Sequence, residues 1–406
     1  MSRFSGVEEE ILTLASRAFI LIEKQECTLD DLLERREFSH LRRTLSHLLL
    51  NCCKYRKAIE SELAKYIRST PRPEIRALLC VALTQAMVQD RISPEAVINV
   101  AVEAAKKYRT SGFVNAVLRK ALAGLRRSGL PAAYTEILPD TIIRRWEKRF
   151  SNAEIQQLAD AFLCQPEFTF RMEHKTAPES FAFTPVDAVT PEFPFGKAAP
   201  PDVLESEEFK SGKLYIQDPA ASLAVSLAPE RKFDSILDLC SAPGGKALML
   251  LEKYPDTPRF ISFDRCAARQ KLTRKNFDLR GIKHTVSSDP AVLTGKFDLI
   301  MIDAPCSNTG VFRRRPDALW RFSDQSLADT VKIQRELLEK AYRMLNPGGY
   351  ILYSTCSIEP EENDMMVGEF TAAHRQFSVE SSCQLLPDAS HDGAFAALLY
   401  CPAQEV

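Results

Sequence analysis

Apolar residues between positions 7 and 125 recur every three or four places, the spacing that puts them on one face of an α-helix. Ile11, Leu12, Leu14, Ala15, Ala18 and Phe19 mark the first stripe, and the same rhythm predicts helices over 41–53, 58–67, 75–88 and 94–108. Ser93-Pro94-Glu95 reads as a helix start, with serine as the cap and proline at the first helical position. No β-rich run interrupts this part, which predicts an all-helical bundle. A further helical region lies within 131–172, anchored by Trp146 and Phe150 and closed by a short strand over 168–172. Pro178, Pro185, Pro191, Pro194, Pro200 and Pro201 then crowd residues 174–205, which rules out a helix and leaves loops and edge structure. Residues 212–219 read as a strand and turn, and 220–227 as a helix.

The pattern changes beyond residue 230. Short apolar runs at 233–239, 259–264, 283–286, 297–302 and 349–353 each finish in polar residues, with helical segments at 246–254 and 266–279 between the first three. Strands alternating with helices predict a doubly wound, mostly parallel sheet, whose ligands bind outside the carboxyl ends of the strands. The first strand runs into Cys240-Ser241-Ala242-Pro243-Gly244-Gly245-Lys246. Two glycines there let a ligand approach the backbone, and Pro243 fixes one φ. The turn lacks the three-glycine dinucleotide spacing and the Gly-Lys-Ser/Thr phosphate loop, so nicotinamide and nucleoside triphosphate readings lose ground.

Composition narrows the class. No run of eighteen apolar residues predicts a membrane span, and the N-terminus has no signal-peptide core. Eleven cysteines include no C-x-x-C pair, which argues against a zinc site or a disulfide scaffold and fits a reducing cytoplasm. The net charge of −1 hides a basic stretch: residues 38–150 hold 21 Lys and Arg against 9 Asp and Glu. An excess of +12 in one domain points to a polyanionic partner.

Candidate chemistry gathers at the strand ends. Asp264 closes the second strand 26 residues after Asp238, near where dinucleotide folds place the carboxylate for a ribose hydroxyl pair. Asp289 follows the third strand, Asp303 the fourth. Cys306 stands in Asp303-Ala304-Pro305-Cys306-Ser307, and Cys356 in Tyr353-Ser354-Thr355-Cys356-Ser357. Parallel strands about 4.8 Å apart can bring two such loops to one pocket. Two thiols and an acid suit methylation of cytosine carbon 5. A thiolate adds to carbon 6, an acid steadies the ring, and a base removes the carbon 5 proton so that the thiol can leave. Lys246 and the turn's peptide N–H groups are candidates for a field that favours thiolate. The basic run Arg313-Arg314-Arg315 with Trp320 and Arg321 suits phosphate contact and stacking on RNA. The acids Glu359, Glu361 and Glu362 suit the N-terminus of the next helix.

Ser111-Gly112-Phe113-Val114-Asn115-Ala116-Val117-Leu118-Arg119, with the helix from Ser93 before it, resembles the NusB-like RNA-binding domain. The stretch from Asp238 to Lys246, the Asp-Ala-Pro-Cys-Ser segment and the Tyr-Ser-Thr-Cys-Ser segment together resemble the RsmB/Sun family of rRNA cytosine-C5 methyltransferases. The resemblance implies an all-helical NusB-like domain over 1–130, a linker and small RNA-binding subdomain over 131–210, and a Rossmann-like class I methyltransferase domain over 211–406. It implies S-adenosylmethionine as cofactor, held by Cys240, Ser241, Ala242, Pro243, Gly244, Gly245 and Lys246, with Asp264 on the ribose, Asp289 on the adenine and Asp303 shared with the cytosine. It makes Cys356 the nucleophile and Cys306 the residue that assists proton removal and release, with Asp303 and Lys246 completing the catalytic set. The expected partner is small-subunit rRNA, free or in an assembly intermediate, bound by a monomer in the cytoplasm without metal or membrane. The alternatives are a methyltransferase of tRNA or another RNA, and a non-catalytic RNA-binding assembly factor. The chain departs from the family pattern at Ser241, at Ser288 and at Arg171-Met172-Glu173, where the family has Arg-x-Asn on an RNA-contacting strand.

Overall fold

The computed structural model describes residues 3–88, 92–130, 132–186 and 189–403. Met1 and Ser2, residues 89–91, Pro131 at the expected first boundary, Asp187 and Ala188 of the proline-rich stretch, and the last three residues lie outside these. The first unit runs to Cys164 and takes in residues 312–323; the second holds residues 165–311 and those from 324 onward.

In the first unit, helices Arg3–Glu23, Arg42–Lys54, Arg56–Ala64, Pro73–Val88, Pro94–Ala104 and Ser111–Ser128 share one apolar core. Pro73–Val88 buries every side chain from Ala77 to Ala86, as a helix at the centre of a bundle must. Arg3–Glu23 lays Ile11, Leu12, Ala15, Ala18, Phe19 and Ile22 into the same core. Ser93 caps its helix as expected, its Oγ accepting from the Ala96 N–H at 3.2 Å. Helix Ser111–Ser128 buries Val114, Val117, Leu118, Ala121, Leu122 and Leu125. Phe113 does not join them; it is 37% exposed, on a face with Gly112, Arg119 and Lys120.

Residues 312–323 correct another expectation. The Trp320 ring is packed beneath the Arg56 guanidinium at 4.7 Å, and its Nε1 donates to the Cys53 carbonyl at 2.7 Å. Asp317 accepts from the Leu29 N–H, Arg313 is buried, and Phe312 stacks on Trp146 at 6.4 Å. Arg313 is thus taken up by the helical unit and Trp320 is half-buried against it, while Arg315 of the same run stays exposed.

The second unit carries two sheets. Strands β1 (Thr169–Met172), β2 (Thr184–Val186), β3 (Phe195–Lys197) and β4 (Leu214–Ile216) form a small antiparallel sheet in the order β2-β3-β1-β4. β2, which contains Pro185, is a short edge strand, while β3 pairs on both sides; Pro200–Glu205 is a helical turn, with its prolines in the first turn where no N–H is needed. The large sheet comprises β5 (Ser235–Asp238), β6 (Arg259–Phe263), β7 (Thr285–Ser287), β8 (Phe297–Asp303), β9 (Leu345–Thr355), β10 (Ser378–Leu385) and β11 (Ala394–Tyr400), ordered β10-β11-β9-β8-β5-β6-β7. The pairs from β9 to β7 are parallel; β11 runs against both its neighbours. β5 is buried along its whole length, and the strand order reverses between it and β8, which opens a crevice at their carboxyl ends. The architecture expected from the sequence, helical first and then α/β with a mostly parallel sheet, is the one observed. No helix among the described residues is long and apolar enough to cross a membrane.

Candidate active site

The turn after β5 is built to let something approach. Gly244 sits at φ +103°, and helix Gly245–Lys253 starts behind it. A Cβ on Gly245 would lie 2.8 Å from the Gln217 amide and 2.9 Å from the Tyr215 ring. Gln270 fixes the turn from below, donating to the carbonyls of Ser262 and Ser287 at 3.0 Å and to the Ser241 hydroxyl at 3.3 Å. A cavity of about 210 Å³ lies against Cys240, Ser241, Ala242, Pro243, Gly245 and Lys246, with Tyr215, Gln217, Asp238 and Asp303 on its other walls.

Asp238, at the end of β5, is fully buried, and neither carboxylate oxygen accepts a well-formed hydrogen bond from a described residue. Burial, and then the charge of Asp303, raise it well above the usual carboxylate range. Such a group at a cavity wall calls for a cationic or donor partner from a ligand. The α-ammonium of S-adenosylmethionine has that character, so the residues present fit the expected cofactor. The sequence placed Asp238 in the motif without giving it a role; its position at the switch-point strand end was the available signal. Asp264, at the end of β6, is 3% exposed and accepts from the Cys266 N–H at 2.8 Å and from Arg269 at 3.1 Å. Asp289 is exposed and caps its own turn, accepting from the Ala291 N–H at 2.9 Å, and it does not line the cavity.

The two cysteines meet. β8 and β9 pair in parallel with Asp303 opposite Ser354, and the loops beyond bring Cys306 Sγ to 3.1 Å from Cys356 Sγ. Cross-links hold the loops in register: Gly310 donates to the Cys356 carbonyl at 3.0 Å, Ile358 N–H to Thr309 Oγ1 at 2.9 Å, and the Ser307 and Ser357 hydroxyls lie 3.1 Å apart. A Cβ on Gly310 would come within 2.6 Å of that carbonyl. Asn308, held at φ +63°, sets its Oδ1 3.4 Å from Cys356 Sγ.

Glu362 anchors this arrangement from beneath and corrects the reading of it as a helix-end charge. It is buried, accepting from the Ser307 N–H at 2.9 Å and hydroxyl at 2.5 Å, from Thr330 at 3.0 Å and from Gln334 at 3.0 Å. Gln334 also holds the Pro305 carbonyl at 2.9 Å.

Electrostatics separate the thiols. The hydrogen bond to Cys356, followed by burial and the charge on Cys356, pushes Cys306 well above its ordinary range, so it stays protonated beside its neighbour. Burial likewise raises Cys240. Lys246 is committed to Asp303 at 2.6 Å, and Ser354 donates to the same Asp303 oxygen at 2.8 Å. A second cavity, of about 90 Å³, lies against Cys356, Thr355 and Ser354, with Asp218 and Asp392 on its walls. Lys246 and Ala221 line both cavities, so the thiol pocket adjoins the turn pocket. Arg171, on β1, is fully buried against Glu173, Glu252 and Gln217 and has no surface to offer RNA.

Residues 224–405 match the family model described as 16S rRNA methyltransferase RsmB/F, and residues 9–123 match that of the NusB family. The ribosomal RNA small subunit methyltransferase B of Citrobacter koseri is 31% identical over 355 residues, 80% of this chain and 82% of that protein. Its counterpart in Sodalis glossinidius is 31% identical over 369 residues, 82% of this chain and 83% of that protein. A solved crystal structure, that of the protein PH0851, has a TM-score of 0.76 over 96% of this chain and 98% of that one, at 22% identity, which is a likeness of fold.

Proposed function

The chain belongs to the RsmB family of rRNA small subunit methyltransferases, and from that premise we propose that it methylates carbon 5 of a cytosine in small-subunit rRNA through a bond between Cys356 and the base. S-adenosylmethionine is the methyl donor of this family and supplies an electrophilic methyl on a sulfonium sulfur. The observation that carries the reading is the pair of thiols 3.1 Å apart beside a cavity that shares Lys246 with the turn.

Cys356 thiolate adds to carbon 6, and the double-bond electrons become available at carbon 5. Both bonds to Asp303 fall on Oδ1, which leaves Oδ2 to accept from the cytosine amino group or a protonated ring nitrogen. Lys246 orients Asp303 through its ion pair at 2.6 Å. After transfer, a base must take the carbon 5 proton, whose bonding electrons restore the ring double bond and expel Cys356. We assign this step to Cys306, whose sulfur lies 3.1 Å from that of Cys356. The hydrogen bond to Cys356, burial and the charge on Cys356 all raise Cys306, and the first and last of these end once Cys356 is bonded to carbon. In this reading Cys306 gives its own proton to solvent and, as thiolate, receives the one from carbon 5. Asp238 receives the donor's ammonium, and Asp264 its ribose hydroxyls.

We place the protein in the cytoplasm as a monomer acting on free RNA or an assembly intermediate. Bisulfite sequencing of small-subunit rRNA from a strain lacking the chain tests the activity. One cytosine should become fully convertible, and the purified chain with S-adenosylmethionine should restore its protection. An unchanged conversion pattern sinks the proposal.

A further inference from the structure

The largest cavity described, about 530 Å³, is not at the site above. Its walls come from Pro255 and from Ile282, Lys283 and His284, which precede β6 and β7, and from Lys213, which precedes β4. It therefore lies at the amino ends of β6 and β7, whereas the turn after β5 lies at the carboxyl ends of the same parallel strands. Its floor is apolar, made by Leu248, Leu251 and Ile282.

The charge on its walls is unbalanced. Glu173 and Glu252 are already neutralised: Arg171 joins the two, and Arg280 donates to Glu173 at 2.7 Å. The ion chain Glu252–Arg171–Glu173–Arg280 sums to zero. Lys213 and Lys283 are exposed at the rim and engage in no ion pair among the described residues. Burial lowers His284, which leaves it a neutral ring. The cavity thus offers two uncompensated ammonium groups above an apolar floor, and this combination suits a nucleotide: phosphate on the lysines, base against Leu248, Leu251 and Ile282.

We propose that this cavity is a second contact point for the RNA substrate, holding one nucleotide of the strand away from the reacting cytosine. The proposal rests on the RNA reading above. The test uses the full chain and a small-subunit rRNA fragment, with Lys213→Glu/Lys283→Glu and Lys213→Arg/Lys283→Arg variants. Both lysines are exposed, so the fold is not at stake. The glutamate pair should bind the fragment at least tenfold more weakly at moderate salt. Its plot of log affinity against log salt should be shallower by about 1.4, two contacts at roughly 0.7 each. S-adenosylmethionine affinity should not change, and the arginine pair should bind like the parent. If the glutamate pair binds and methylates RNA like the parent, the second contact is wrong while the methyltransferase reading stands. If the parent neither binds nor methylates the fragment, both fall. If free cytidine monophosphate binds the parent, is lost in the glutamate pair, and RNA affinity is unmoved, the cavity serves a free nucleotide and the RNA assignment is overturned.

Discussion

In the proposed mechanism Cys356 attacks and Cys306 takes the proton, and substitution separates the two roles. Cys356→Ala removes the attacking thiol, so no covalent adduct with RNA should survive a denaturing gel. Cys306→Ala leaves attack and methyl transfer intact but removes the base, so the protein should accumulate as an RNA adduct that the double variant loses. The opposite pattern would make Cys306 the nucleophile. The sequence singled out Asp303, Cys306 and Cys356 because each lies at or within three residues of a strand end, and Lys246 because it follows the Gly-Gly turn. Asp238 was not given a role, because its unpartnered burial exists only once β6 and β8 flank it. Asp238→Asn keeps the shape and removes the charge that the donor's ammonium would meet. Cofactor affinity by calorimetry should fall at least tenfold, since a charge-assisted bond is worth about 1.5–3 kcal/mol. Asp264→Ala should do the same through the ribose; unchanged affinity in a folded variant would remove either residue from the site.

At the scale of elements, the strands that were easy to read are those buried on both faces, whose apolar runs are nearly continuous: β5, β6 and β8. β10 and β11 escaped. β10 is an edge strand with a serine-rich, largely exposed sequence, and the alanines and leucines of β11 carry no strand signature of their own. The two strands extend the sheet beyond β9, and the loop between them returns Gly393 to donate to the Gly310 carbonyl at 2.8 Å. The cysteine loop is therefore supported by a region no local motif announces. Glu362 is its other support, and its charge in an acidic run pointed instead to a helix end. Glu362→Ala leaves the Ser307, Thr330 and Gln334 donors without their buried acceptor. Stability should fall by about 3 kcal/mol, since each stranded buried donor costs ~1–3 kcal/mol. Thermal unfolding should show it, with turnover falling more than cofactor affinity because Asp238 and Asp264 are untouched. A loss of cofactor binding equal to the loss of turnover would deny Glu362 that local role.

For the whole molecule, charge distribution makes the remaining prediction. Residues 38–150 carry +12 in a chain of net −1, which makes that part of the sequence the expected seat of RNA affinity. That much was visible without a structure; which cations face solvent was not. Arg313 and Trp320 looked like RNA contacts; Arg313 is buried in the helical unit and Trp320 is half-buried against it. Phe113 stands exposed with Arg119 and Lys120 on helix Ser111–Ser128. The helical period fixes which residues share a face, but it does not say which face a neighbouring segment will cover, and residues 312–323 reach this unit from almost two hundred residues further along. RNA affinity of the full chain should fall steeply with salt, by about three-hundredfold between 50 and 200 mM if six phosphates are contacted at roughly 0.7 each. Arg119→Glu/Lys120→Glu should reduce that salt slope by about 1.4 and weaken binding at low salt, because two exposed cations leave the contact set. Phe113→Ala should weaken binding while leaving the slope as it was, because stacking releases no counterions. Turnover at saturating RNA should stay near the parental value in both, since neither touches the thiols. A slope unchanged by the Arg119 and Lys120 reversal would mean that the RNA runs over another face of the helical unit.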